Sequence, residues 1–275
     1  LNLLRVTDET KVFEGTEEEN KGSNLTFIIT TTSDNYDIEM PYGIDAVKGN
    51  YDGSIDWGDG TESLNTDDAS HTYATAGTYT IEVKGNASII DFHSNSNFTS
   101  KLDRISSWGQ GEIKTLKLSD AYVSHLAQIS GTPVFAYESS LEECLADNNK
   151  NYIDGIENWD VSNVVTMKSM FNENRSFNQA IGGWNTSNVK DMSYMFYACF
   201  DFNQPLGNWD VSNVTNFRDM FSLCQTFDQD LSTWDVSSAT DMFGMFNYTE
   251  FSSNIGGWDV SNVTNMSYMF SQNKY

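Results

Sequence analysis

Two hydrophobic rhythms divide this chain. In the first, from Asn24, apolar and polar positions alternate: Leu25, Phe27 and Ile29 interleave with Thr26, Ile28 and Thr30. Tyr36, Ile38 and Met40 alternate with Asp37 and Glu39, Ile55 and Trp57 flank Asp56, and Tyr79, Ile81 and Val83 alternate with Thr80, Glu82 and Lys84. Period-two runs this short, separated by Gly, Asn and Asp clusters, predict a small antiparallel β-sandwich over residues 24–93. Within it, Trp57-Gly58-Asp59-Gly60-Thr61 reads as a tight hairpin turn, its glycines supplying positive φ. The preceding residues 1–23, polar and acidic around Glu17, Glu18 and Glu19, read as a linker or edge segment.

The second rhythm is a repeat. Trp159, Trp184, Trp209, Trp234 and Trp258 follow one another at intervals of 25, 25, 25 and 24 residues. A fixed period in this range means that each unit cannot bury its apolar face alone and must stack on its neighbours. Aligned on Trp, nearly every column holds one residue type. Met167, Met192, Met242 and Met266 share a column with Phe217, and Met170, Met195, Met220, Met245 and Met269 fill another. Phe171, Phe196, Phe221, Phe246 and Phe270 follow them. A methionine stripe in step with Trp, Val and Phe is core rather than a soft-metal box. Each coil is expected to hold an extended segment before its Trp and a compact helical turn near the Met-Phe pair. Residues 151–275 are therefore a regular solenoid of 25-residue coils. Trp108, Ile113 and Leu116 repeat the same offsets, so residues 94–150 are expected to be degenerate capping coils, lengthened by an insertion near Asp147-Asn148-Asn149. The fold class is mainly β with short helices.

Charge narrows the partners. Fifteen Lys and Arg stand against 39 Asp and Glu, a net charge of −24. Such a surface repels phosphate backbones and anionic headgroups, which counts against nucleic acid and bare membrane. No apolar run approaches the ~18 residues of a membrane span. Leu1 opens directly into mature-looking sequence, so the chain reads as a processed protein or an excised piece. Cys144, Cys199 and Cys224 are too few for a disulfide scaffold and read as one small buried column. Stacked residues lie ~5 Å apart, so a Cys199–Cys224 bridge between coils is geometrically allowed.

Two resemblances rest on these residues. Trp57-Gly58-Asp59-Gly60 with His71-Thr72-Tyr73 and Gly77-Thr78-Tyr79 resembles the PKD (polycystic kidney disease) domain family, which implies an Ig-like β-sandwich used as an extracellular spacer. Trp57 directly before Gly58 departs from that family's usual turn. Phe-Asn-Gln-x-Ile-x-x-Trp-Asp-Val-Ser-Asn-Val-x-x-Met-x-x-Met-Phe resembles the repeats of mycoplasma lipoproteins catalogued as a domain of unknown function, related to the leucine-rich repeats of BspA-like surface antigens. This second resemblance spans about residues 100–275 and implies a secreted or cell-surface bacterial protein with adhesive or protein-binding roles, without a catalytic residue or a defined ligand.

In a solenoid, recognition falls to exposed columns. Three polar ones are candidates: Asn178, Asn203 and Asp228; Gln179, Gln204 and Gln229; and Asp160, Asn185, Asp210, Asp235 and Asp259. Each has a structural alternative, since Asn and Gln ladders bond along a stack and Asp before Val-Ser-Asn caps its own turn. Carboxylates ~5 Å apart repel, so hydration, capping or Ca²⁺ must relieve the Asp column. Asp52, Asp56 and Asp59 are a second Ca²⁺ candidate, with turn stabilisation as the competing role; no EF-hand loop is present and no other cofactor is implied. His71, His93 and His125 form no metal motif, and neither a Gly-x-Ser-x-Gly elbow nor a Walker loop occurs. The expectation is a non-enzymatic surface adhesin that binds protein or glycan on a host or neighbouring cell. A self-assembling fibre subunit and a glycan-binding module are the alternatives.

Overall fold

The computed structural model describes residues 24–42, 51–92, 96–119, 131–147, 153 and 155–274. His93, His125, residues 1–23 and the Asn148–Asn149 insertion lie outside them. The described chain is mainly β, and no helix in it is long and apolar enough to cross a membrane.

The alternating region forms β1 (Leu25–Thr31), β2 (Tyr36–Glu39), β3 (Ser54–Asp56), β4 (Glu62–Leu64), β5 (Ser70–Tyr73) and β6 (Gly77–Lys84). Leu25, Phe27, Ile29 and Thr31 of β1 are buried while the residues between them are half-buried, as period two requires. A fully antiparallel sheet runs β4-β3-β6-β1-β8, closed by β8 (Leu102–Trp108); β2 and β5 form a separate antiparallel pair. Trp57 and Tyr73 join the two sheets. The Tyr73 hydroxyl donates to the Trp57 carbonyl at 2.8 Å, its ring stacks on Tyr79 at 3.9 Å, and His71 stacks on Trp57 at 5.1 Å. The β3–β4 hairpin needs its first glycine: Gly58 has φ 81°, and a Cβ there would stand 2.4 Å from the Thr80 carbonyl oxygen.

The expected boundary at residue 93 is not a clean cut. After β7 (Ile89–Asp91) comes a four-residue helix, α1 (Ser96–Thr99). β7 then pairs in parallel with β9 (Glu112–Lys117), followed in order by β10 (Val134–Ser140) and β11 (Val164–Thr166). β8, from the far side of that boundary, completes the antiparallel sheet instead. Trp108 ends β8 opposite Leu25, and its ring meets Trp159 edge-on at 6.0 Å, so one indole seals the two regions together.

Beyond β11 the parallel pairing continues as single-residue bridges, Thr166–Asp191–Asn216–Asp241–Asn265, one per coil. The Met-Phe segment is not helical. Alternate N–H groups turn to different partners. Met192, Tyr194, Phe196 and Ala198 donate to Asn216, Arg218, Met220 and Ser222 of the next coil, while Met195, Tyr197 and Cys199 close turns within their own. Sending every second N–H outward places Tyr194 and Ala198 in the left-handed region, and the equivalent pair does the same in each coil from Ser169 and Glu173 to Tyr268 and Gln272. A helix would turn all of these donors inward.

Indole stacking fills the core between coils, with Trp184–Trp209 and Trp234–Trp258 both at 6.3 Å and nearly parallel. Phe171, Phe196, Phe221, Phe246 and Phe270 stack at 5.5–5.7 Å. The last coil has no neighbour above it among the described residues, so Phe270 is 49% exposed where Phe246 is 0%.

Each indole also forms a specific bond. Trp184, Trp209, Trp234 and Trp258 donate Nε1–H at 3.0 Å to Ile156, Ile181, Leu206 and Leu231 of the coil before. Trp209→Phe removes this bond and some buried area. It is expected to cost about 1–2 kcal/mol in urea unfolding; an unchanged midpoint would show that stacking alone holds the coils.

Candidate binding groove

The polar columns expected to face a ligand are occupied in building the stack. Asn178 Oδ1 accepts from the Asn203 N–H, Asn203 Oδ1 from the Asp228 N–H, and Asp228 Oδ1 from the Ser252 N–H. Gln204 and Gln229 each donate to the Asn one coil back, and Gln179 clasps both backbone groups of Ile153. The column after Trp caps its own turn: Asp160, Asn185, Asp210, Asp235 and Asp259 accept the N–H of the residue two further on. The hydroxyl and N–H of the following serine hold the Asp160 and Asp235 carboxyls below the usual range, and the N–H and hydroxyl of Ser261 do the same for Asp259. Capping thus answers the repulsion that invited a cation.

Asp52, Asp56 and Asp59 do not converge. Asp52 binds the backbone and side-chain amides of Asn86, Asp56 takes the Gly58 N–H and Lys84, and Asp59 takes Thr61 and His71. Among the described residues no three His, Cys, Asp or Glu gather as a metal site.

The Cys199–Cys224 bridge is absent, and the single cysteine column is corrected as well. All three cysteines are buried free thiols. Cys199 Sγ donates to the Phe171 carbonyl at 3.0 Å and Cys224 Sγ to the Phe196 carbonyl at 2.8 Å, so each sulfur is aimed at backbone rather than at the other. Cys144 stands in the Met170 column, because its N–H closes on Leu141 as that of Met170 closes on Met167. Burial pushes all three thiols up, away from the reactive thiolate.

One concavity of about 520 Å³ runs past Gln229 and Asp230, and a more aromatic one lies elsewhere. Around the outward turn, the columns through Tyr194, Tyr197 and Ala198 change residue from coil to coil, unlike the Trp, Met and Phe columns of the core. They read Ser169, Tyr194, Asp219, Gly244; Asn172, Tyr197, Ser222, Asn247; and Glu173, Ala198, Leu223, Tyr248. Over four coils all of them but Ser169, Ala198 and Gly244 line an open groove of about 440 Å³. Tyr194 and Tyr197 meet edge to face at 6.0 Å, and Tyr248 is exposed. Asp219 lies buried in the floor, with Arg218 Nε 3.8 Å from its carboxylate. Gly244 makes the space: a Cβ there, at φ 62°, would stand 2.2 Å from Asp219 Oδ1. Behind the groove, Arg218 donates to the Tyr194 hydroxyl at 2.9 Å, lies 4.0 Å over the Phe243 ring and pairs with Asp241 at 3.6 Å. Sequence reasoning passed over these columns because it looked for regular polar residues. Irregularity within an otherwise regular repeat was the usable signal.

Burial raises the Asp219 carboxyl above its ordinary value, against the lowering effect of Arg218. A raised folded-state pKa in an acid means that the native protein binds the proton more tightly, so stability falls as pH rises through the carboxylate range. Asp219→Asn is expected to be at least as stable as wild type at about pH 7 and to lose that advantage near pH 4. Thermal melts across this range check it, and a less stable variant at neutral pH would contradict it.

No curated protein and no solved structure matches the chain. Residues 139–253 and 241–275 match the family model described as Mycoplasma protein of unknown function, DUF285. The stacked coils, from residue 139 to 275, are the part of this chain that resembles that Mycoplasma family, whose description assigns no activity.

Proposed function

We propose that this chain is a non-enzymatic binding module on the outside of a bacterial cell. In this reading an Ig/PKD-like sandwich carries a leucine-rich-repeat-like solenoid whose groove at Tyr194, Tyr197, Asp219 and Tyr248 meets a partner protein. The observation that supports it is the contrast between columns. Every regular polar column is consumed by hydrogen bonds between or within coils, while the columns free to vary converge on one concave, aromatic and acidic surface. Aromatic residues in a pocket with few polar anchors are the usual makings of a protein-binding hot spot.

Capture from host-cell surface extract tests the reading with two variants. Tyr197→Ser with Tyr248→Ser is expected to lower capture of the bound protein at least about tenfold, as loss of aromatic anchors does. Asp210→Asn, which keeps the capping oxygen, is expected to leave capture unchanged. Equal capture by wild type and the double variant would move binding away from the groove and overturn the proposal.

A further inference from the structure

We infer that the groove takes a lysine or arginine side chain presented by a polypeptide partner; this rests on the binding-module reading above. Its lining holds two carboxylates, Glu173 and Asp219, and three phenol rings, but no lysine, arginine or histidine. The nearest cation, Arg218, donates to Tyr194, lies 3.8 Å from Asp219 and 3.6 Å from Asp241, and covers the face of Phe243, so its charge is already shared and offers little to an anionic ligand. Asn247, on the wall, has an Oδ1 that is buried and without a hydrogen-bond partner. Carboxylates and ring faces together complement a group that is cationic, rich in N–H and flat or compact.

Two further facts favour this class over a sugar. The protein carries a net charge of −24, which steers cations toward it and repels sulfated or phosphorylated glycans. A neutral sugar would also stack on tyrosine and could donate hydroxyls to a carboxylate, but only a cation adds charge pairing to that bond. That carboxylate is a built feature. Gly244 vacates the space it needs. The volume of about 440 Å³ lies in the range of small-ligand pockets and admits one long side chain with its flanking peptide.

Nuclear magnetic resonance titration with N-acetyl-arginine amide, and with its neutral isostere N-acetyl-citrulline amide, tests the inference on the full chain. Arginine is expected to shift resonances of Tyr194, Tyr197 and Tyr248, to bind at least about tenfold more tightly than citrulline, and to weaken as salt rises. Asp219→Asn is expected to remove most of the difference between the two probes, whereas Asp230→Asn, an exposed carboxylate outside the groove, retains it. Gly244→Ala is a second route to the same loss that leaves the charge in place. Equal binding of the two probes, shifts scattered over the acidic surface, or an undiminished preference in Asp219→Asn would each overturn the inference. Tighter binding of a neutral disaccharide such as cellobiose in the groove would overturn it too. If surface-extract capture still depends on Tyr197 and Tyr248 in those cases, the binding-module reading survives and only the ligand class falls.

Discussion

One carbonyl per coil holds this protein together. The Ile or Leu three residues before each tryptophan accepts two hydrogen bonds: one from the tryptophan backbone N–H of its own coil, and one from the indole N–H of the next. Ile181 takes them from Trp184 and Trp209, Leu206 from Trp209 and Trp234, and Leu231 from Trp234 and Trp258. The same oxygen therefore closes a turn and fixes the next coil in register. Cys199 and Cys224 repeat the device with Phe171 and Phe196, where the carbonyl closing the turn also receives a thiol from the coil after. A buried carbonyl has two lone pairs, and using both leaves less of the backbone polarity unanswered in an apolar interior.

This constraint explains much else. Stacked rings need coils at a constant rise, and a constant rise needs backbone bonds between coils as well as within them. The outward turn supplies these by alternating its donors, which forces two left-handed residues into every coil. Side-chain amides complete the job where the backbone runs past without pairing. Asn188 and Asn213 each donate to the carbonyl of a serine one coil back, and Asn178 and Asn203 do similar work on the opposite strand of the coil. The polar part of the repeat is thus as structural as the apolar part.

That is also why the fold was more legible than the site. The tryptophan interval, the methionine and phenylalanine columns and the alternation of β1 are imposed by burial, and burial writes itself into residue type. The Trp57–Thr61 hairpin was legible because only glycine tolerates the approach of Thr80 at Gly58. Trp108 was harder. Its spacing matched the repeat and its ring does touch Trp159, yet its strand pairs with β1, a long-range choice that no local pattern encodes. The Asn, Gln and Asp columns misled for a physical reason: a regular polar column has regular neighbours to bond, so regularity marks structure. The groove was hidden because its residues, from Glu173 to Tyr248, share no type and come together only when four coils are wound.

The groove's dependence on winding has a consequence for how such a surface can change. Its rungs come from separate coils that share one set of buried columns, so accessible rungs such as Glu173, Tyr197 and Tyr248 can be rewritten without disturbing the core, while Gly244 stays tied to Asp219. Duplicating or deleting a whole 25-residue unit would keep every stacked ring in step, yet slide Glu173 one rung away from Tyr248 or toward it. The array behaves as a combination lock on a common axle, and the lining of the groove is set by which wheels happen to stand side by side.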